Sequence, residues 1–512
     1  MHDIVMLRQL MIRNLDFPPA TENLMQDLQE LKPESSGEPY FQLVFSCVLA
    51  ALAGGMGWGI RGQYGHETGA MIFGILVGFV IVLFHLPVAG SLQAARVIAL
   101  FTIAIGFGGS MTYGQTVGLT MDTGVHGNIA DPHFNPVAFR WGMLGLAIKG
   151  GLWIGFGGLF LGLGLGGKNY RPAEMFALGL LLLGLFFAGC WLINTPFDPD
   201  AKKLPFLYFS DHWQWEAADN VKPRREVWGG MLCSLAFMAF YVRLWKKDRL
   251  AWHLCLWGMI AGLGFPLGQS FQAAANWDST SFQNSWWHVG INTWNLMEVT
   301  FGMFAGGSLA LGVWLNRQRI VQHSPPVAVS LSPAVDGWLI GSYIYLLMLG
   351  WYFENSAFVM IQQYGVLMGL LPMTTVIGGR LSPFLYVFPV VGVSIIVKTY
   401  LARFRNADFS STSAGLLFLV SIPLAILIWL AFALAAKSSS GMRARQFAAI
   451  GLPVTAALYF WLNFTFLSFP WGWFTDWRGM LAQHHSGGVY VVAWLFLSLA
   501  GLFALIGQRL CK

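Results

Sequence analysis

Long apolar stretches separated by short polar segments fill the chain from residue 41 onward. A helix needs about 20 apolar residues to cross the hydrocarbon core of a bilayer. The pattern predicts an all-α polytopic membrane protein with about 14 transmembrane helices. The predicted spans are 41–58, 70–90, 95–113, 138–166, 175–194, 227–245, 251–269, 291–315, 336–353, 357–378, 383–400, 413–436, 446–466 and 488–508.

The spans divide the chain into three predicted parts. Residues 1–40 are a cytoplasmic N-terminal arm. Apolar residues recur in the arm at helical spacing, which is typical either of a short amphipathic helix on the membrane surface or of an arm packed on the domain. Residues 41–320 are a repeat-containing transmembrane core, and residues 321–512 are C-terminal transmembrane helices.

Composition supports the membrane assignment. Of the 512 residues, 56% are hydrophobic and 11% charged, whereas a soluble domain carries about 25% charged residues. The 30 Lys and Arg residues cluster at the ends of apolar spans, a pattern that indicates membrane topology and not nucleic-acid binding. Five cysteines lie mostly inside apolar spans without CxxC spacing, so we expect neither disulfides nor metal ligation by cysteine, and no cofactor.

The basic clusters also predict the orientation. Arg96, the pair Lys168 and Arg171, the segment 243–249 and the pair Arg317 and Arg319 fall on one side, which the positive-inside rule makes cytoplasmic. We expect both termini there, in a multi-pass protein of the bacterial inner membrane. Arg403, Arg405 and the basic loop 196–226 fall on the opposite face, against the rule. That face also carries the loops rich in His, Asp and Trp.

Three apolar spans end in related sequences, which predicts an internal repeat of glycine-rich helix pairs. Residues 55–63, 106–115 and 262–269 each begin Gly-x-Gly and end Gly-Gln, at Gln63, Gln115 and Gln269. Repeated helix pairs are common in secondary transporters, whose sites lie between repeats. The alternative is that small residues only let helices approach closely.

Two charges lie deep inside predicted spans, and a second alignment relates them. Residues 149–162 match residues 298–311, which places Lys149 on Glu298. A charge in mid-bilayer costs at least ~3 kcal/mol, so such groups normally face an interior partner. We therefore expect Lys149 and Glu298 to form an intramembrane ion pair, either structural or competing with a substrate.

A polar stripe precedes Glu298. His288, Asn292, Asn295 and Glu298 follow at spacings of four, three and three residues, so they share one helical face. The stripe is typical of the wall of a polar vestibule, although each Asn alone could bond a neighbouring helix.

The most concentrated polar cluster beside a span contains Arg61, Gln63, His66 and Glu67. Glycines around it allow an irregular backbone, and free N–H groups at the next helix start attract anions. Arg61 could bind a substrate carboxylate or phosphate. It could instead pair with Glu67 and cap the helix.

Other candidates are weaker. Tryptophan beside carboxylates is the combination that binds sugar rings. The secondary candidates on this and similar grounds are Asp211, His212, Trp213, Glu216, Glu354, Arg380, Asp476 and Arg478. A further quartet has ligand types suited to a divalent metal, but its spacing matches no metal-site signature: Asp122, His126, Asp131 and His133.

These features favour a secondary transporter of a small polar solute, either sugar-like or anionic, with its entrance on the non-cytoplasmic face. The partners are then the lipid bilayer and the solute. The alternative is a membrane-embedded transferase or hydrolase acting at that face on a lipid-linked or periplasmic substrate. A carboxylate (Glu67 or Asp211) and a histidine (His66 or His212) would then serve as acid and base. No P-loop, GxSxG or HExxH motif is present.

Overall fold

The computed structural model describes residues 38–109, 111, 113–121, 136–210, 223–284, 292–322, 329–352, 371–404, 413–468 and 487–510. Across these ranges the regular structure is helical without strands, which confirms the all-α class. Residues 45–512 form one compact unit. Of residues 1–44, only the start of the first helix is described.

The helices vary from a single turn to thirty residues. In chain order they are α1 (Glu38–Arg61), α2 (Ala70–His85), α3 (Ser91–Gly108), α4 (Gly114–Thr120), α5 (Pro136–Leu165), α6 (Pro172–Ile193), α7 (Trp228–Phe240), α8 (Arg249–Ala261), α9 (Gly264–Trp277), α10 (Ser279–Gln283), α11 (Thr293–Leu315), α12 (Pro333–Tyr352), α13 (Leu371–Gly378), α14 (Ser382–Leu385), α15 (Val391–Phe404), α16 (Ile422–Ser439), α17 (Ala444–Ser468) and α18 (Gly487–Leu510). Three π-helical segments extend α7, link α14 to α15, and precede α16: Tyr241–Trp245, Tyr386–Val390 and Leu416–Ser421.

Ten helical stretches among the described residues are long and apolar enough to cross a membrane, which confirms a multi-pass membrane protein. Their burial separates a core from a periphery. In Ser91–Gly108, 89% of the most apolar 18-residue stretch is buried, whereas in Ser413–Ser439 only 28% of that stretch is buried. An apolar helix that leaves most of its surface uncovered needs lipid as its solvent. The outer helices therefore supply the lipid-facing surface.

The predicted number of 14 spanning helices exceeds these ten. The predicted span 70–90 is the 16-residue helix α2, which at 1.5 Å per residue extends about 24 Å, short of the roughly 30 Å core. All its residues except Phe84 are buried, so other parts of the protein surround it. Much of the predicted span 357–378 lies outside the described residues.

Glycines bring two pairs of helices into backbone contact. A Cβ on Gly302 of α11 would meet the carbonyl oxygen of Gly54 in α1 and lie 2.6 Å from the Cβ of Trp58. A Cβ on Gly150 of α5 would likewise meet the carbonyl oxygen of Gly262, at the end of α8. Such contacts leave no room for any side chain. The α1–α11 and α5–α8 pairs are therefore packed through glycine, as small residues allow in membranes.

The basic turns between helices meet at one end of the bundle. Ser91 N donates to the Met442 carbonyl at 2.9 Å, Val321 N to the Leu165 carbonyl at 3.2 Å, and Gln322 Nε2 to the His85 carbonyl at 2.7 Å. At the other end, Asn463 Nδ2 donates to Gln63 Oε1 at 3.0 Å. The clusters that the positive-inside rule assigned to one side thus share one end.

Candidate functional site

A buried ion pair joins two distant parts of the chain where α1 ends. Arg61, the last residue of α1, donates from Nη2 to Glu298 Oε1 of α11 at 2.6 Å. Both side chains are buried. Glu298 lies five residues after α11 begins, about 8 Å along its axis. The glycine-mediated approach of α1 and α11 is what brings these ends together.

Arg61 has three further polar or aromatic neighbours. Its Nη2 also donates to the Tyr113 hydroxyl, and its Nη1 donates to His66 Nδ1 at 2.7 Å. The guanidinium carbon lies 4.9 Å from the ring centroid of Tyr113 and 5.3 Å from that of Trp58. Arg61 Nε is buried with no hydrogen-bond partner among the described residues. The guanidinium is thus desolvated, stacked on aromatic faces and only partly satisfied.

An aromatic cluster lies beside this ion pair. Trp58 packs edge-on against Phe301 at 4.3 Å between centroids, and Phe301 stacks on Phe265 at 3.7 Å. Trp153 and Tyr113 join the same cluster. The cluster thus contains rings from α1, α5, α9 and α11, together with that of Tyr113. The low dielectric of such surroundings strengthens every charge interaction made by Arg61.

Residues 62–69 fold back over the end of α1. Gly65 has a φ of +90°, a conformation that L side chains rarely adopt, so glycine is required at this bend. Lys398 of α15 donates from Nζ to the Tyr64 carbonyl and, at 3.1 Å, to Thr68 Oγ1. The segment is therefore tied by one lysine to a helix more than 300 residues away in sequence.

Two titratable residues of this segment are perturbed by burial and by neighbouring charge. Burial, together with the positive charges of Arg61 and Lys398, lowers the pKa of His66 from 6.5 to about 3. Its imidazole is therefore neutral at neutral pH and accepts from Arg61. Burial raises the pKa of Glu67 above its usual range, opposed by its own backbone N–H and by Lys398 and Arg61.

The predicted pairing of Lys149 with Glu298 is wrong. Lys149 Nζ donates to Glu226 Oε1 at 2.6 Å and to Thr116 Oγ1 at 2.7 Å, while Glu298 pairs with Arg61. The physical reason is that the chain before α7 folds back to α5, so that a loop carboxylate reaches Lys149. The predicted pairing of Arg61 with Glu67 is likewise replaced by the pair with Glu298.

Two donors besides Lys149 hold Glu226 in place. Phe209 N donates to its Oε2 at 3.0 Å, and Ser210 Oγ donates to its Oε1 at 3.0 Å. Lys149 and Glu226 are both buried. Lys149 balances the charge of Glu226, and the two loop residues donate to its oxygens. Glu226 therefore belongs to a second polar cluster, in which its hydrogen bonds are satisfied.

Three of the four residues in the predicted stripe that ends at Glu298 are described. Asn292 precedes α11 and caps it, accepting from Trp294 N at 2.8 Å. Asn295 is buried within α11, as is Glu298. His288 lies outside the described residues. The stripe as a continuous vestibule wall stays a prediction.

The three Gly-Gln segments occupy different places in the fold. Gln63 follows the end of α1, Gln115 lies in the short helix α4, and Gln269 lies inside α9, which continues to Trp277. Gln269 Nε2 donates to Thr120 Oγ1 of α4 at 2.7 Å. Of the three, only Gln63 lies in the segment that covers Arg61.

The secondary candidates lie either at the other end of the bundle or outside the described residues. Arg380 is exposed and follows Gly379, whose carbonyl accepts from Arg96 Nη2 at 2.9 Å, so it belongs to the basic end of the bundle and not to the Arg61 end. Outside the described residues lie Asp211, His212, Trp213, Glu216, Glu354, Asp476 and Arg478, together with the metal quartet Asp122, His126, Asp131 and His133.

Sequence reasoning missed four residues that shape these clusters: Tyr113, Glu226, Lys398 and Asn463. Lys398 carried a usable signal, because it is a charge inside the predicted span 383–400 and such charges normally have partners. Glu226 carried none, since it sits among basic residues in a loop. We name the group formed by Arg61, Glu298, Tyr113, His66 and Lys398 the Arg61 cluster. No family model, curated protein or solved structure matches this chain, so its function must be inferred from the Arg61 cluster itself.

Proposed function

We propose that the chain is a secondary transporter of a small polar organic solute that carries a carboxylate or phosphate. Its binding site is the Arg61 cluster, and its entrance is on the non-cytoplasmic face. The observation that carries the proposal is the buried Arg61–Glu298 pair, in which one guanidinium N–H has no acceptor.

The energetic argument starts from the cost of this pair. Burying two charges costs several kcal/mol each, and a well-packed apolar pair would often stabilise a bundle better (roughly 1–4 kcal/mol). Stability alone is therefore a weak explanation for a buried pair that is only partly satisfied. A guanidinium also recognises carboxylates and phosphates through two parallel hydrogen bonds. The solute's anionic group would take the place of the Glu298 carboxylate on Arg61.

The surroundings fit a gate. The segment 62–69 covers Arg61 and is attached to α15 through Lys398. Displacing Glu298 from Arg61 would leave a carboxylate free to take up a proton, which couples solute binding to proton uptake beside the segment. Membrane charges that are expensive alone are commonly used in this way.

Finer points of architecture belong to the same proposal. The three Gly-Gln segments, at 55–63, 106–115 and 262–269, together with the glycine-rich spans that follow them, would be the internal repeat. The two shorter apolar helices and the predicted spans 336–353 and 357–378 would bring the ten described spans to fourteen. The protein would lie in a bacterial inner membrane with the basic end of the bundle in the cytoplasm.

The enzyme alternative has less support. It would use His66 as an acid or base, yet His66 accepts from Arg61 and its pKa is about 3, far from the value near neutrality that suits such a role. The histidine is therefore occupied by the ion cluster. Of the other acid–base candidates of that interpretation, Glu67 has a pKa raised by burial, and Asp211 and His212 lie outside the described residues.

Uptake by reconstituted protein tests the proposal. Purified protein in liposomes would be offered labelled glucose, glucuronate, lactate, succinate and glycerol 3-phosphate, each with a proton or a sodium gradient. We expect accumulation of one or more of the anionic solutes above protein-free liposomes, and none of glucose. Equal entry of all five with and without protein would contradict the proposal.

A further inference from the structure

At the basic end of the bundle, oxygens from three chain positions converge beside Gly379. Asp336 Oδ1, Ser382 Oγ and the Thr375 carbonyl all lie within 2.6 Å of the point that a Cβ on Gly379 would occupy. A carboxylate, a hydroxyl and a backbone carbonyl, the last accepting from Gly379 N at 2.7 Å, therefore crowd around Gly379, and a side chain at residue 379 would collide with all three. Only glycine fits at this position.

Two of these oxygens have no hydrogen-bond partner in the part of the chain that the structure describes. They are Asp336 Oδ1 and Ser382 Oγ, which are buried, and both residues are only 2% exposed. Buried polar atoms are nearly always satisfied by protein, by water or by an ion. Burying a carboxylate oxygen and a neighbouring hydroxyl oxygen without hydrogen bonds costs free energy unless something binds both.

The other oxygen of Asp336 is fully engaged. Oδ2 accepts from Leu381 N at 3.0 Å and from Ser382 N at 3.2 Å. These two N–H donors stabilise the negative charge and fix the orientation of the carboxylate. Oδ1 is therefore presented as an anionic ligand in a defined direction, as the ligand shell of a hard cation requires.

A cavity lies beside two of these three residues. It is lined by Thr375 and Ser382 together with Tyr386 and apolar side chains, and its volume of about 10 Å³ is room for roughly one water molecule or a small ion. Arg96 donates to the Gly379 carbonyl and lies close enough to Asp336 to interact with its charge. Because Arg96 partly offsets the single carboxylate, the site suits a monovalent cation better than a divalent one.

We propose that Asp336, Ser382 and the Thr375 carbonyl bind a sodium ion at the basic end of the bundle. The ion would hold the start of α12, the end of α13 and the start of α14 together. This site is separate from the Arg61 cluster, and its occupancy does not depend on whether the chain transports a solute.

Thermal stability of the detergent-solubilised full chain tests the proposal. Sodium chloride would be titrated against N-methylglucamine chloride at constant ionic strength, with potassium and calcium chlorides as separate arms. An ion that binds only the folded state raises the melting temperature with its concentration. We expect sodium to raise it, potassium to do so less, and Asp336→Asn and Ser382→Ala to weaken the apparent sodium affinity by about 10- to 100-fold.

Asp248→Asn is the matched control. Asp248 is also a buried aspartate that caps a helix at the basic end, but both its oxygens are answered, Oδ1 by Ala251 N and Oδ2 by the Tyr170 hydroxyl. This variant should keep the wild-type sodium response. Binding of radioactive sodium to the wild-type chain by equilibrium dialysis, about one ion per chain, keeps the proposal testable if Asp336→Asn does not fold.

Three results would overturn the assignment. The first is a sodium response no larger than that to N-methylglucamine, with no radioactive sodium bound, which would leave a buried water as the occupant. The second is an equal response in Ser382→Ala and wild type. The third is a response to calcium or potassium that exceeds the response to sodium.

Discussion

At the residue scale, two buried ion pairs organise the polar interior, and their chemistry differs. Lys149–Glu226 is surrounded by neutral donors and acceptors that complete the shell of the carboxylate. In the Arg61–Glu298 pair, the guanidinium is stacked on aromatic rings, and its Nε–H has no hydrogen-bond acceptor among the described residues. A satisfied pair is typical of a structural role, whereas a partly satisfied one has capacity for a ligand.

The partners of Lys149 make a prediction about coupling. Lys149→Met and Glu226→Gln should each lower the free energy of unfolding, by ~3–5 kcal/mol if the remaining charge stays buried, and the double variant should recover much of that loss. Lys149→Met and Glu298→Gln belong to different pairs, so their losses should add to within about 0.5 kcal/mol. Thermal unfolding of the three single variants and the two double variants measures both. Additivity for Lys149 with Glu226 would contradict the observed pair.

The neutral state of His66 makes a prediction about pH. Its folded-state pKa of about 3 lies below the unfolded value of 6.5, so the folded chain resists protonation. Its contribution to stability is complete above the unfolded pKa and falls as the pH drops from about 6.5 towards 3. His66→Gln keeps an acceptor for Arg61 but does not titrate. The melting temperature of this variant should fall less than that of wild type between neutral pH and pH 5, and an equal fall would place the acid sensitivity elsewhere.

At the element scale, helix contacts through glycine fix the position of the Arg61 cluster. Gly302→Ala would force a methyl group against the Gly54 carbonyl and the Trp58 side chain, separating α1 from α11. Gly307→Ala on the same helix meets its nearest atoms only at 3.6 Å, which is ordinary van der Waals contact. We expect Gly302→Ala to lose several degrees of melting temperature, and Gly307→Ala to change it little or raise it slightly. Similar losses in both would mean that the contact does not determine the packing.

The sequence predicted the elements better than their contacts. Hydrophobic length alone located the ten long helices, since lipid imposes a minimum length on any span. It could not show that α2 is a short, fully surrounded helix, because an interior helix and a lipid-facing helix are both apolar. Nor could it show that Phe209, Ser210 and Glu226 pack into the bundle beside Lys149, which is why Glu226 was not recognised as its partner.

At the scale of the whole molecule, the arrangement of the ends predicts how the chain lies in the membrane. Thr280 of α10 is exposed and lies between the predicted spans 251–269 and 291–315, on the face predicted to be non-cytoplasmic. Arg249 is exposed at the basic end. In a background lacking the five native cysteines, an impermeant thiol reagent should label Thr280→Cys in intact cells. It should label Arg249→Cys only after the membrane is opened. The opposite pattern would reverse the orientation.

The candidate site was only partly predictable from sequence. Arg61, His66 and Glu298 stood out because charged or polar groups beside apolar spans are costly without partners. Tyr113 gave no such signal, and the choice of Glu298 as the partner of Arg61 depends on the crossing of α1 and α11. Pairings across a bundle follow from tertiary packing, which one sequence without a fold does not specify.

The most direct test of the central claim compares the two buried pairs as matched substitutions in the same assay. The measurement is the uptake rate, in liposomes, of the anionic solute that wild type accumulates. Neutralising both members of the satisfied pair, Lys149→Met with Glu226→Gln, should leave uptake close to wild type wherever the protein is folded. Neutralising both members of the other pair, Arg61→Met with Glu298→Gln, should abolish uptake even though this variant is folded and as stable as the first double variant. Uptake that survives the loss of Arg61 and Glu298, or that fails only with Lys149 and Glu226, would contradict the assignment of the Arg61 cluster as the solute site.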